Sequence, residues 1–279
     1  TGTAASSASV TLTSITMTGN LDINAAFSSG SPTITVTGGS FQNVILQNTI
    51  SAGSVLVTGV TVSALISHTK SMTSSTTVTY SSITKPYFYL SPPTISSSTL
   101  RFQSLSGTNT ATSYCFTATG ATSVTNSLVE FLSSTITCKT MALRLDSGWS
   151  FSSSSTLRIK NSNFAAGWSA GLVIVVHWAA SLTSSTLEID NSQLTATSTS
   201  TGTDVTVSLN FQGTLTSSTL IVTDTTLSAT ATSYITQNIR FNAGCTVSAL
   251  GVTVTGGSMT ATNTATNPAG TTENVYTAV

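Results

Sequence analysis

Apolar residues recur along the chain in a pattern that alternates with Ser and Thr. Taking one apolar residue as position i, others follow at i+2 and i+7, as in Leu157, Ile159 and Phe164. The motif Ser-Ser-Thr-Leu opens several of these segments. Alternation with a period of two is typical of β-strands. The pattern begins at ten positions along the chain: Val10, Ile34, Val55, Val78, Leu100, Val129, Leu157, Leu187, Leu220 and Leu250.

A repeat of this length indicates a solenoid, in which each repeat forms one coil and packs on its neighbours. Two further apolar clusters occur in most repeats, so we expect three strands per coil. The sequence therefore predicts a right-handed parallel β-helix of about ten coils, all-β, as a single domain over residues 1–279 without evident terminal caps. We expect narrow coils over about 10–100, wider loop-bearing coils over about 101–262, and a C-terminal tail over 263–279.

Charged residues fall on positions that such coils would stack. Parallel strands lie about 4.8 Å apart, so residues at the same position of successive repeats become neighbours. At i+1 and i+3 the middle repeats alternate in sign, whereas the early repeats mostly carry Thr there. Opposite charges on adjacent strands stabilise a sheet. We therefore predict a structural charge ladder, made by Arg101, Glu130, Arg158 and Glu188 at i+1 and by Lys160 and Asp190 at i+3.

The coil length, the expected three strands and the Asn-containing turns at Asn161, Asn163 and Asn191 resemble the pectin-lyase-like superfamily of right-handed β-helices over nearly the whole chain. The degenerate repeats rich in Ser, Thr and Val are also similar in composition to the dispersed-gene-family surface proteins of trypanosomatid parasites. The first resemblance implies a right-handed parallel β-helix. Neither implies a catalytic residue, because the Asp cluster with Arg or Lys of pectinolytic members has no equivalent here.

Composition limits the possible partners. Charged residues make up 6% of the chain and the formal net charge is zero, which argues against nucleic acid and against an anionic membrane surface. No apolar run approaches the length of about 20 residues that a membrane span requires. We therefore expect no nucleic-acid partner, no membrane insertion, and an extracellular or cell-surface location.

Candidate contact residues concentrate in the wider coils. Three tryptophans could form a platform for a sugar ring, although they could equally cover strand ends; they are Trp149, Trp168 and Trp178. Asp146 lies close to Arg144 and Trp149. A second group is expected to point outward beneath a loop or a partner, and comprises Val173, Val175 and His177. We expect no catalytic residue, cofactor or metal ion.

The three cysteines show no metal-ligand spacing. Cys245 falls near the apolar position that Leu215 holds one repeat earlier, so we expect it in the core. Cys115 and Cys138 sit at different positions of their repeats and are not expected to stack. A disulfide between them would require two loops to meet.

These features predict a non-enzymatic extracellular module with a structural or adhesive role. Such a module would be a segment of a larger surface protein, or a subunit that stacks end to end into a fibre. One alternative is a carbohydrate-binding or carbohydrate-active β-helix that uses its wider coils. A second is an ice-binding protein with threonine ladders, although charge in the middle coils would interrupt an ice-binding plane.

Overall fold

The computed structural model describes residues 9–24, 27, 29–84, 87–109, 113–169, 171–199, 205–232, 235–263 and 271–277. Those residues form an all-β parallel solenoid in which each strand pairs in register with strands of the neighbouring coils, on both sides in the interior and on one side at the ends. β-branched Thr, Val and Ile predominate in the strands, since their stiff side chains suit a pleated surface. The predicted fold class is confirmed. The tail predicted over 263–279 lies partly outside the described residues.

Each regular coil has four short strands, which define a first, second, third and fourth face of the solenoid. The first face stacks β1 (Ser9–Thr16), the start of β3 (Thr33–Leu46), β4 (Ser54–Thr58), β6 (Thr77–Ser81), β9 (Thr99–Gln103), β13 (Leu128–Leu132), β17 (Thr156–Lys160), β21 (Thr186–Asp190), β25 (Thr219–Thr223) and β29 (Gly251–Thr255). The second face contains β10 (Ser106–Asn109), β14 (Thr135–Cys138), β18 (Asn163–Trp168), β22 (Gln193–Ser198), β26 (Thr226–Ala231) and β30 (Ser258–Asn263).

The third face stacks β2 (Asn20–Ile23), the end of β3, β5 (Thr61–His68), β7 (Phe88–Leu90), β11 (Tyr114–Ala118), β15 (Met141–Leu145), β19 (Val173–Trp178), β23 (Val205–Phe211), β27 (Ile235–Phe241) and β31 (Thr271–Thr277). The fourth face contains β8 (Thr94–Ser96), β12 (Thr122–Thr125), β16 (Trp149–Ser152), β20 (Ser181–Thr183), β24 (Thr214–Thr216) and β28 (Thr246–Ser248).

Two details of the predicted coil are wrong. The coil has four strands rather than three, because the apolar residues at i+2 and i+7 lie on different faces, separated by a corner. The coil is also regular on all four faces for only about six turns, as the six-stranded second and fourth sheets show. In the earlier coils the fourth face is reduced to isolated bridges such as Phe27–Ile50 and Ile50–Met72. In addition, the last repeat begins at Val252, which pairs with Leu220, and not at Leu250.

Inward side chains stack into continuous columns that form the core. On the first face, Tyr80, Phe102 and Phe131 stack in parallel, with ring centroids 5.6 Å and 4.8 Å apart. Phe88 and Phe116 stack in the same way on the third face, at 4.6 Å. Aromatic pairs in contact contribute about 0.5–1.5 kcal/mol beyond the area they bury. The core is therefore ordered along the axis, with like residues above like.

Corners on either side of the first face use single residues in the left-handed conformation. Asn126 has a φ of 48° and Asn161 a φ of 50°, values that Asn adopts more readily than most residues. Neighbouring coils place Ser, Asp or Gly at the same corners. Asn191 Nδ2 donates to Asn161 Oδ1 at 2.8 Å, which links two successive corners.

A buried hydroxyl follows most of these corners and joins one coil to the next. The backbone N–H of Ser127 donates to Ser155 Oγ at 3.3 Å, while Ser127 Oγ donates to the carbonyl of Thr125 at 2.7 Å. A second ladder of the same kind includes Ser134, Ser162 and Ser192. The motif Ser-Ser-Thr-Leu is thereby explained, because its first Ser turns the corner and its second Ser lies inside.

The longer segments of the wide coils occur at one corner, between the second and third faces. There the chain passes from Trp168 to Val173, from Ser198 to Val205 and from Ala231 to Ile235. Each of these connections includes residues outside the described ranges. These longer connections therefore lie at a single edge of the solenoid.

Two expectations about the cysteines are wrong. Cys115 and Cys138 form a buried disulfide with a Cα–Cα distance of 5.9 Å. Cys138 ends a second-face strand and Cys115 lies on the third face, so the corner between those faces brings them together. Cys245 is only partly buried, and Val247 occupies the fourth-face column next to Leu215.

Candidate functional site

The first-face charges pair across adjacent strands in the order predicted from the sequence. Arg101 Nε lies 2.6 Å from Glu130 Oε1, and Arg158 Nε lies 2.8 Å from Glu188 Oε2. The Glu130 side chain is 3% exposed and also has Arg158 Nη1 at 3.8 Å from its second oxygen. These carboxylates are engaged by cations, so they do not form a pair of free carboxylates for acid–base chemistry.

The i+3 position carries a second ion pair, with Lys160 Nζ 2.7 Å from Asp190 Oδ2. Beyond this point the sign alternation ends, because Glu188 pairs with Ile221 and Asp190 pairs with Thr223. Charge on the first face is therefore confined to the middle of the solenoid.

The predicted tryptophan platform is contradicted by the burial of its rings. Trp149 lies on the fourth face and Trp178 on the third, and they are 1% and 0% exposed. Their indole N–H groups donate to the carbonyls of Thr119 and Ala180, at 3.2 Å and 2.8 Å. Since a sugar must reach the face of a ring, these two side chains serve as core residues instead.

The remaining tryptophan, Trp168, lies on the second face and is partly buried. Lys139 Nζ is 4.5 Å from the centroid of its ring, a cation–π contact. The three tryptophans thus occupy three different faces and cannot act together as one platform.

The expected outward position of Val173 and Val175 is also wrong, because both are fully buried in the main core. Val175 and Val176 both point inward, which breaks the alternation in the middle of β19. Ile174 therefore points away from the core and forms a small cluster with Met141 and Val207.

His177 does point outward, as expected, and belongs to a polar column on the third face. In register, this column runs along Thr117, Arg144, His177, Asn210 and Arg240. We call it the third-face polar column. The sequence places Asp146 close to Arg144 but does not connect either residue with His177. The alignment of His177 with Arg144 is hidden because the strand changes phase at Val175.

The column borders a cleft of about 450 Å³, which we call the third-face cleft; it is lined by Arg144, Asp146, Ser147, His177, Ala179, Gln212 and Gly244. Arg144 Nε donates to Asp146 Oδ1 at 2.7 Å. The Arg144 guanidinium also lies 4.9 Å from the centroid of the Tyr114 ring. These contacts fix the arginine at one end of the cleft.

Asn210 Nδ2 lies 3.0 Å from His177 Nδ1. With the amide as donor, Nδ1 accepts and the ring proton is on Nε2. The pKa of His177 is lowered by burial and by the positive charge of Arg144, against the opposing effect of Asp146. The imidazole is therefore neutral at neutral pH.

Asn210 is 2% exposed, and its Oδ1 has no hydrogen-bond partner among the residues that the structure describes. A buried acceptor without a donor costs about 1–3 kcal/mol. A water molecule or a ligand hydroxyl that donates to this oxygen would remove that cost. The third-face polar column therefore offers donors and acceptors side by side, with the charge of Arg144 balanced by Asp146.

Metal chemistry finds no support in the described part of the chain, where no group of three or more His, Cys, Asp or Glu side chains is placed to hold an ion. No helix in the described ranges is long and apolar enough to cross a membrane.

Comparisons with protein-family models, with curated proteins and with solved structures find no match to this chain. The fold alone therefore defines its class, which is that of the parallel β-solenoids.

Proposed function

We propose that the chain is a non-enzymatic extracellular module with a structural or adhesive role, which associates end to end in a fibre or with neighbouring modules of a longer surface protein. The exposure of core columns at both ends of the solenoid carries this proposal. Val10 and Met17 in the first coil are 48% and 44% exposed. Val252, Val254 and Val275 in the last coil are 50%, 42% and 55% exposed.

These residues continue columns that are fully buried elsewhere. Val57 and Val78, on the same face as Val10, are completely buried. Burying a side chain of this size contributes about 1.5–3 kcal/mol, so a second solenoid surface that covers one end gains from several residues together. Among the residues that the structure describes, β1 and β29 each pair with a strand on one side only, and such a strand edge favours the addition of another strand.

The disulfide supports an extracellular location. Cys115 and Cys138 are both 1% exposed and bonded to each other. Disulfides persist in oxidising compartments and are rare where thiols are kept reduced. The same proposal includes right-handed winding and kinship with the pectin-lyase-like superfamily, supported by the linked asparagine corners at Asn161 and Asn191. A relation to the trypanosomatid surface proteins rests on composition alone.

End-to-end association is tested by light scattering and negative-stain imaging of the purified chain over a range of concentrations. We expect axial oligomers or fibres whose width is that of one solenoid and whose length grows with concentration. Monodisperse monomers at every concentration would contradict the proposal.

A second candidate function, carbohydrate binding, is favoured by the third-face cleft. Arg144 supplies donors, Asp146 supplies acceptors and the amide of Gln212 supplies both, a combination that suits the hydroxyl pairs of a sugar. Glycan-array binding should be lost in Arg144→Ala and in Asn210→Ala. Arg158→Ala on the first face is the matched control and should bind as the parent does. If no glycan binds the parent chain, this candidate fails and the structural proposal is unaffected.

A further inference from the structure

The two ends of the solenoid match each other in sequence on the first face. The last first-face strand, β29, reads Gly-Val-Thr-Val-Thr from Gly251 to Thr255, and the first strand, β1, reads Ser-Val-Thr-Leu-Thr over residues 9–13. Alignment by repeat position places Val252 with Val10 and Thr253 with Thr11. Each apolar residue therefore meets an apolar residue, and each threonine meets a threonine.

The match extends around the coil to the second and third faces. Met259 and Met17 hold the same position, seven residues after the start of their repeats. On the third face, the column that runs through Ile239 ends at Val275, and its first member is Leu21. Since parallel stacking places residues of one column about 4.8 Å apart, a second solenoid could continue all three faces without a change of register.

Charge is absent from these matching positions. The ion pairs of the first face lie between Arg101 and Asp190, whereas the end strands carry threonine at the outward positions. Two ends brought together on this face therefore meet no like charges, and threonine directly opposite threonine is a favourable cross-strand pair.

Only one orientation preserves the match. When β29 of one copy lies beside β1 of the next, both strands run in the same direction, as the paired strands of the first face do. A two-fold contact between identical ends reverses one strand and places each column against a different one. The self-complementary geometry of a closed dimer is therefore disfavoured here.

We propose that the partner at each end is a second copy of this chain, docked head to tail with β29 paired to β1 in the register Val252–Val10 and Val254–Leu12. This inference rests on the proposed function and specifies its partner and geometry. The contact joins two different surfaces, so each assembly keeps one free surface at either end, where a further copy can add, and grows as an open filament. The backbone hydrogen bonds between first-face strands then continue from one copy to the next.

The register is tested by disulfide trapping between two singly substituted chains, in a Cys245→Ser background that removes the free thiol. One chain carries Thr11→Cys, and the other, with an affinity tag, carries Thr253→Cys. Paired residues of adjacent strands lie within the Cα–Cα range that a disulfide can bridge. The matched control replaces Thr11→Cys by Thr13→Cys, which shifts the thiol by about 6.7 Å along the strand.

We expect the 11–253 dimer to form at least about tenfold faster than the 13–253 dimer, because only the first pair meets the distance limit. Dominant 13–253 or 253–253 bonding, or assembly without any 11–253 bonding, overturns the inference while the proposed function stands. If the Cys245→Ser parent does not assemble at all, the inference fails together with the fibre form of the proposed function.

A second experiment blocks the contact. Val252→Lys places a charge on an exposed core position of the last coil, so we expect axial assembly to be lost while the circular dichroism spectrum is unchanged. Ile221→Lys is the matched control, because Ile221 points outward on the neighbouring coil. Equal assembly by the two variants would contradict the proposal.

Discussion

His68 is a titratable side chain in the third-face column, between Leu46 and Leu90. It is fully buried, and burial lowers its pKa to about 4, against a smaller upward effect of its hydrogen bond to the carbonyl of Lys70. The imidazole is therefore neutral in the folded chain, with Nε2 3.0 Å from that carbonyl and Nδ1 3.4 Å from the Tyr80 hydroxyl.

A lowered pKa makes the stability of the fold depend on pH. As the pH falls, the unfolded chain binds a proton on His68 before the folded chain does, because its pKa is about 6.5. The contribution of neutral His68 to the free energy of unfolding is therefore at its full value above about pH 6.5. It declines as the pH falls to about 4 and is lost below that value. The full shift corresponds to about 3 kcal/mol, of which about 2 kcal/mol is lost by pH 5.

The perturbation is His68→Leu, which continues the column of Leu46 and Leu90 without a titratable group. Urea denaturation followed by circular dichroism at pH 7 and pH 5 gives the change in unfolding free energy for the parent and the variant. We expect the parent to lose about 2 kcal/mol more than the variant between these values. Because both chains share every other titratable group, the difference between them isolates His68.

The matched control is His177→Gln, which removes the other histidine. His177 is only partly buried, so its substitution should leave most of the pH dependence in place. His68 is not the source of the pH dependence if His68→Leu loses as much unfolding free energy between pH 7 and pH 5 as the parent does. The same conclusion follows if His177→Gln reduces that loss more than His68→Leu does.

Three further predictions follow from other contacts. Glu130→Gln should lower the unfolding free energy by about 1–2 kcal/mol, because a nearly buried carboxylate between two arginines loses charge-assisted hydrogen bonds. Glu188→Gln, at the more exposed end of the charge ladder, should lower it by less than about 1 kcal/mol. Equal losses of unfolding free energy in urea denaturation would contradict this ranking. Ser127→Ala should cost about 1–2 kcal/mol by the same measurement, because it removes one acceptor from a buried ladder, while Asn126→Gly at the adjacent corner should be nearly neutral, since glycine adopts a positive φ freely. The chain should show no thermal hysteresis in freezing assays, because β18 places Ala165 and Gly167 where the neighbouring strand β22 carries Thr195 and Thr197. A measurable hysteresis would contradict this prediction.

The first face could be predicted from the sequence in some detail. Its strands are short, alternate strictly and carry most of the charged pairs, so stacking order could be inferred from Arg101, Glu130 and Arg158. Each of these residues lies opposite the next in the expected register. The alternation survives because one side of every first-face strand faces the core.

The corners could not be predicted, because they leave a weak signal. A single residue in the left-handed conformation turns the chain, and at most corners that residue is Ser or Asn, both common elsewhere in this sequence. The second-face strand, which carries the apolar residue at i+7, was therefore merged with the first-face strand of the same coil. The pairing of Cys115 with Cys138 was missed for the same reason, since it depends on which faces meet at a corner.

The candidate site was missed because the alternation of the third face shifts by one residue at Val175 and Val176. This shift moves Val173 and Val175 into the core and brings His177 into line with Arg144 and Asn210. A period-two pattern read without the shift places Val173 and Val175 on the same side as His177, which is the outward side.

The confinement of the longer segments to one corner bears on how such a chain can change. An insertion between the second and third faces, for example between Trp168 and Val173, alters neither the serine ladders nor the first-face ion pairs, which lie on and beside the first face. Lengthening a loop costs little free energy, only about 0.6 kcal/mol for each doubling of its length. The corner between the second and third faces can therefore vary in sequence and length. The first face and its corners meanwhile keep the register in which successive coils pair.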